Sequence, residues 1–356
     1  MNSRLGRGIL TSGGLALFLF SAALTQDVEQ LNQQGVRLLK AGRVVEAVQL
    51  FEKAARLAPS NASVHYNLAV ALYQAGREAK ALQALEKASV DPEILPKVQL
   101  LRGTILFGLR QYSDALQALS SLPEPHRNTE QVLYMMVESA RQVRDAELAS
   151  RAFQELSRRF PDSAFLHKLL AMALEAQDRD EEALEEFQAA LRAMPNMPDV
   201  AFGIGYIHFK HQRFAEARQW FEQELKIQPC LAPALHYLGE IAGHEENWEK
   251  ALKLYHQAIA CQQDYIPAHL AAGLAHERLG NLAAAREAYE RAVKLAPHHA
   301  QARFRLGNLL ARVGEHQRAR EELRLAQELF RKEQDRQALE RERRQREFNR
   351  RSPVPH

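Results

Sequence analysis

Residues 181–195 read EEALEEFQAALRAMP. Glu181, Glu182, Glu185 and Glu186 crowd around Phe187, and the stretch stops at Pro195. Carboxylates this close could form an acid–base pair, half of a metal site or the wet face of a helix. The apolar letters decide. Ala183, Leu184, Phe187, Ala190 and Leu191 recur at i, i+1, i+4, i+7 and i+8, one face of an amphipathic helix. Glu182, Glu185 and Glu186 then fall on the opposite face, where a partly buried carboxyl is not expected.

Stepping by 34 residues from Val28 brings the frame to Ala62, Pro96, Glu130, Ala164, Pro198, Ala232, Ile266 and Ala300. Position 20 of each frame is alanine: Ala47, Ala81, Ala115, Ala149, Ala183, Ala217, Ala251, Ala285 and Ala319. Position 24 is always large and apolar or aromatic, from Phe51 through Phe187 to Leu323. Position 8 is Gly or Ala except at Val137, and position 32 is proline at Pro59, Pro161, Pro195, Pro229 and Pro297. At the places of Glu182 and Glu185, sister frames carry Lys80 and Gln83, and Lys250 and Lys253, so the charge there is free to vary.

This pattern resembles the tetratricopeptide repeat family, whose signature has a small residue at 8, Ala at 20, an aromatic at 24, Ala at 27 and Pro at 32. The third and fourth repeats depart most, with Leu122 and Leu156 at position 27 and Arg127 in place of the proline. The resemblance implies an all-α fold, a right-handed superhelical αα-solenoid of about nine 34-residue helix-turn-helix repeats over residues 28–333. A charged capping helix or frayed tail is expected over 334–356. The physics agrees: no repeat can bury its apolar stripe alone, so stacking supplies the core. Gly42, Gly76, Gly280 and Gly314 fall where the two helices of a repeat must turn. The small position 8 and the alanine at 20 are expected to face each other where the paired helices approach closely.

Composition suits this reading. The chain is 46% hydrophobic and 26% charged, as in folded proteins. Net charge is +3, but residues 331–351 alone carry nine basic and five acidic groups. The body is therefore slightly acidic, which argues against an electrostatic nucleic-acid binder. Within the tail, Glu340–Arg344, Glu342–Arg346 and Glu347–Arg351 are favourable i,i+4 pairs. Such a basic tail leaves room for a weak contact with an anionic surface.

At the other end, Arg4 and Arg7 precede the apolar run Leu15–Phe20 and the small residues Ser21, Ala22 and Ala23. That order predicts a secretory signal peptide over residues 1–25, cleaved near 23–25, and an exported, periplasmic or secreted chain. An uncleaved membrane anchor is the alternative. Cys230 and Cys261 lie at the same edge of a repeat if its helices are antiparallel; they are either a disulfide or two free buried thiols.

No constellation for chemistry survives. His244-Glu245-Glu246-Asn247-Trp248 begins like a zinc motif but has Trp248 where the second ligand belongs. His208 and His276 share position 11, a packing position. Catalytic residues, metal sites and cofactors are not expected.

In the family the first helices line a concave face that holds a partner's peptide or helix, and positions 2, 5, 9 and 12 point there. Here those positions include Tyr66, Tyr73, Phe107, Tyr134, Phe165, Phe202, Tyr206, Phe209 and Phe304. Rigid rings make good anchors, although the same rings could pack against the next repeat. Asn32/Val36 and Tyr66/Val70 stand where the chaperone-tail binders of the family carry Lys and Asn. The expected function is a non-enzymatic protein–protein interaction scaffold in a bacterial envelope; the alternative is an accessory subunit of a separate enzyme or secretion complex.

Overall fold

The Ala- and Leu-rich frames fold as helix after helix. In the computed structural model, which describes residues 12–351, there are nineteen helices and no strand among the described residues. They are α1 (Ser12–Lys40), α2 (Val44–Leu57), α3 (Ala62–Gln74), α4 (Glu78–Ala88), α5 (Leu95–Gly108), α6 (Tyr112–Ser120) and α7 (Glu124–Arg127). Next come α8 (Glu130–Gln142), α9 (Ala146–Arg159), α10 (Ala164–Glu175), α11 (Asp180–Ala193), α12 (Val200–Lys210) and α13 (Phe214–Ile227). The rest are α14 (Ala232–His244), α15 (Trp248–Cys261), α16 (Ile266–Arg278), α17 (Leu282–Leu295), α18 (Ala300–Arg312) and α19 (His316–Arg351). Residues 1–11 of the expected leader lie outside the described residues, and residues 12–25 are the start of α1. Among the described residues no helix is long and apolar enough to cross a membrane.

One turn closes every helix pair. Residues 42, 76, 110, 144, 178, 212, 246, 280 and 314, position 15 of each frame, all have positive φ. Each is followed by a backbone bond that reaches five residues back, as from Arg213 N–H to the His208 carbonyl at 2.9 Å. Together with the Gln212 N–H to Phe209 carbonyl bond at 2.9 Å, this is a Schellman cap. Four of the nine positions are glycine; Arg110, Arg144, Asp178, Gln212 and Glu246 hold the left-handed conformation with a Cβ. For L-residues that costs about 1–2 kcal/mol. Gln212→Gly is therefore expected to raise stability by about 1 kcal/mol, read as a higher denaturation midpoint. An unchanged or lower midpoint would argue against strain at this turn.

Packing explains the signature letters, with one correction. A Cβ on Gly35, Gly103, Gly205, Gly239, Gly273 or Gly307 would strike the side chain at position 24 of its own repeat. At Gly239 it would lie 2.4 Å from Tyr255 Cε1, and at Gly273 2.3 Å from Tyr289 Cε1. Position 8 is thus small to seat the position-24 ring, rather than to meet the position-20 alanine. The ring also reaches the next repeat: a Cβ on Gly203 would lie 2.4 Å from Phe187 Cζ. The position-20 alanines are buried with the exception of Ala149, which is half-exposed. Gly273→Val overpacks this contact, because Tyr289 is fully buried and its hydroxyl donates to Glu277 Oε1 at 2.6 Å. A loss of about 1–3 kcal/mol is expected on chemical denaturation; a neutral result would mean the ring can swing away.

The chain divides into two compact units, Met1–Leu166 and His167–His356, the division falling inside α10. In the first, successive helices from α1 to α6 pack pairwise, then α6 against α8 and α8 against α9. Its third repeat is irregular. Pro123 has no N–H to continue a helix, so the second helix of this repeat stops at Ser120 and the short α7 follows. In the second unit each helix from α11 to α19 packs against the next. The final helix α19 runs without a break from the last repeat into the charged tail.

Candidate functional site

The first helices carry nine rings singled out by position, and the structure sorts them into separate groups. In the first unit Tyr66 and Tyr73 are half-buried against a core built on Phe51, Leu72 and Leu85. Phe107, Tyr134 and Phe165 form a ladder, with centroids 6.1 Å apart for the first pair and 4.8 Å for the second. Tyr134 is only 9% exposed, so it supports the two flanking rings more than it presents itself. In the second unit Phe202, Tyr206 and Phe209 gather on α12, while Phe304 stands apart on α18, exposed and edge-on to Phe330 at 6.4 Å.

The α12 group is the densest, and its centre is Tyr237 of α14, a residue at position 6 that the groove pattern missed. Tyr237 stacks on the buried Phe221 at 5.6 Å. Phe202, Tyr206 and Phe209 surround it at 6.0, 5.5 and 5.0 Å. These four rings are half-buried, so each keeps one side in the core and one side in solvent. Burial pushes the Tyr237 hydroxyl up to about 12, helped by Tyr206, Tyr265, Glu240 and Glu175 nearby.

A buried carboxylate fixes where α12 starts. Glu224 of α13 is fully buried and accepts from the backbone N–H of Asp199 at 2.9 Å and of Phe202 at 3.1 Å. The Gln228 amide also donates to it, at 2.8 Å. Asp199 is left-handed at φ 68°, and Lys168 bridges its carboxylate at 3.0 Å and the Pro198 carbonyl at 2.9 Å. Two of the unsatisfied N–H groups at the helix start thus find one acceptor from a neighbouring helix. Glu224 occupies position 27, where most repeats have a buried alanine.

The glutamates of 181–195 take several roles. Glu182 pairs with Arg179, and Glu185 is exposed, as a solvated face requires. Glu186 departs from that reading: it is half-buried and holds His167 Nδ1 at 2.6 Å. It sits at the edge of the apolar face, within reach of the helix before it. Beside this stretch, an open polar cleft is lined by Asp178, Asp180, Glu182, His211 and Arg213. Burial alone would raise the Asp180 carboxyl, but bonds from Lys210 and His211 outweigh it and hold the pKa below the usual carboxylate range. The charges here satisfy one another. Among the described residues no group of three or more His, Cys, Asp or Glu side chains is placed to hold a metal ion.

Three histidines of the second unit have a buried Nδ1 with no hydrogen-bond partner: His208, His236 and His276. Burial is the main cause that lowers each of their pKa values. With the folded value below the unfolded one, near 6.5, the stabilising contribution is present above that pH and is lost as pH falls through the folded values. The denaturation midpoint is expected to be lower at about pH 5 than at about pH 7.5. A midpoint that rises on acidification would contradict this.

Cys230, just before α14, and Cys261, the last residue of α15, form a disulfide with Cα atoms 5.3 Å apart. Of the two states open from sequence, the paired one is found.

Tetratricopeptide repeat models match residues 38–91 and, with a second model of the same description, residues 134–198, 181–229 and 270–334. Together these cover more than half of the chain. Among curated proteins none matches. Among solved structures, MamA from Desulfovibrio magneticus is 24% identical, covering 48% of this chain and 96% of its own, with a TM-score of 0.42. A further MamA structure is 20% identical over 46% of this chain and 96% of its own, with a TM-score of 0.41. YrrB, described as a TPR protein with an unusual peptide-binding site, is 21% identical over 50% of this chain and 92% of its own, with a TM-score of 0.40. The repeat models fall on helix pairs that share one left-handed turn at one spacing, and the chain belongs to the tetratricopeptide repeat family.

Proposed function

We propose that this chain is a non-enzymatic scaffold that holds a partner's segment along the first helices of its repeats, with Phe202, Tyr206, Phe209 and Tyr237 as the principal anchors. The observation that carries the reading is the cluster on α12 and α14. Four large rings sit within 6.5 Å of a neighbour, rigid against the core yet open on one side. Anchors of this kind lose little side-chain entropy on binding and bury much apolar area. Phe304 is a secondary anchor in the same unit, and Phe107 and Phe165, backed by Tyr134, form a separate candidate surface within the first unit. An exported location is supported by the Cys230–Cys261 disulfide, since such bonds persist in oxidising compartments. The scaffold would then serve an assembly in the envelope.

The test is affinity capture from native extract with the wild-type chain and a Phe202→Ala/Tyr206→Ala variant, whose fold is checked by circular dichroism. One stoichiometric partner, lost in the folded variant, is expected. Equal recovery by both chains would place binding elsewhere.

A further inference from the structure

The aromatic cluster has a chemical bias that says what kind of segment it takes. Tyr237 and Glu240 are three residues apart on α14 and so share one helix face. Glu240 is half-buried, with Oε1 accepting from the Tyr255 hydroxyl at 2.9 Å. Glu175 is the last residue of α10, a helix with no basic residue in its last turn. It too is half-buried, and it is close enough to Tyr237 to act on that hydroxyl. A helix C-terminus adds partial negative charge of its own.

Several carboxylates of this unit have cationic partners, and the fully buried Glu224 is held by backbone N–H groups and the Gln228 amide instead. Asp178 and Asp180 pair with Lys210, Glu245 with Arg218, Glu277 with Arg312, and Glu290 with Arg286 and Arg318. Among the described residues, Glu175 and Glu240 have no ion-pair partner. A bound cation would supply the counter-ion that these two carboxylates lack. The faces of Tyr206, Tyr237 and Phe209 supply a second attraction for the same cation through their ring quadrupoles.

Resting on the binding face set out above, we propose that the segment held there carries a lysine or arginine beside an apolar residue. The apolar side chain packs on Phe202 and Phe209. The cationic head lies over Tyr206 and Tyr237, with Glu175 and Glu240 as its counter-charges. An acidic segment is disfavoured by the same two carboxylates.

Selection of random peptides of roughly twelve residues on the immobilised full-length chain tests this, followed by anisotropy titration of the winners. Enriched peptides are expected to pair Lys or Arg with an aliphatic or aromatic neighbour and to weaken as salt is raised. Glu175→Gln/Glu240→Gln should reduce their affinity about tenfold, and Glu222→Gln on the exposed side of α13 should not. Glu175→Gln alone, which leaves the Tyr255 hydrogen bond untouched, guards against a folding defect in the double variant. Neutral or acidic winners that ignore both Gln variants yet are lost with Tyr206→Ala overturn the cationic preference and leave the binding face standing. Winners indifferent to Tyr206→Ala, or no enrichment at all, overturn both.

Discussion

Replacing Cys230 and Cys261 with serine is expected to destabilise the second compact unit by about 3–4 kcal/mol. The bond closes a loop with a sequence separation of 31, linking the entry of α14 to the end of α15. Loop-closure entropy in the unfolded chain gives a cost of that size, with strain and residual structure able to reduce it. The effect should be local, because each repeat contacts chiefly its neighbours and stability is close to a sum of repeat and interface terms. Denaturation of the double-serine chain should therefore show an early transition for repeats around α14–α17, while helices α1–α6 keep their hydrogen-exchange protection. Treating the wild type with a reductant should reproduce the shift. Superimposable curves would mean that neighbouring repeats already fix this edge.

The second large effect concerns a residue that repeat consensus would call an error. Glu224→Ala restores the alanine that most repeats carry at position 27, yet it should destabilise by about 2–4 kcal/mol. The substitution leaves the N–H groups of Asp199 and Phe202 without their acceptor. Each unsatisfied buried group costs about 1–3 kcal/mol. Glu224→Gln keeps one acceptor oxygen and should cost less. Because Phe202 sits on that first turn, the alanine change should also loosen the ring cluster around Tyr237, visible as a loss of near-ultraviolet dichroism. A stabilised Glu224→Ala chain would show that the cap is dispensable.

Much of this fold can be read from spacing. Gly42, Gly76, Gly280 and Gly314 mark the turn because only glycine reaches the left-handed region without strain. Arg110, Arg144, Asp178, Gln212 and Glu246 make the same turn invisibly, held there by the helices on either side. The large position-24 side chains are legible for a similar reason: a small residue at position 8 leaves the space that they fill. Glu224 is only partly legible: the frame puts it at the inward position 27, but nothing local says what a buried glutamate would bind there. Its partners are 22 and 25 residues away.

The candidate site was half legible. Helical phase on α12 picks out Phe202, Tyr206 and Phe209 from one repeat. Tyr237 belongs to the following repeat and reaches the cluster only because stacking brings α14 beside α13 and α12. Helical phase puts Glu186 on the solvent face but does not show that His167 waits at its edge. Pro123 could have warned of the broken helix in the third repeat, where the 34-residue frame persists and the local structure does not.

The proposed function requires that the solvent-open side of the α12–α14 cluster be the surface that holds a partner. Site-specific photocrosslinking measures this most directly: a benzophenone side chain at Tyr206 is compared with one at Glu222, exposed on the second helix of the same pair. In native extract, the probe at Tyr206 is predicted to capture one recurring partner segment, and the probe at Glu222 to capture none. Crosslinks confined to Glu222, or equal at both positions, would contradict it.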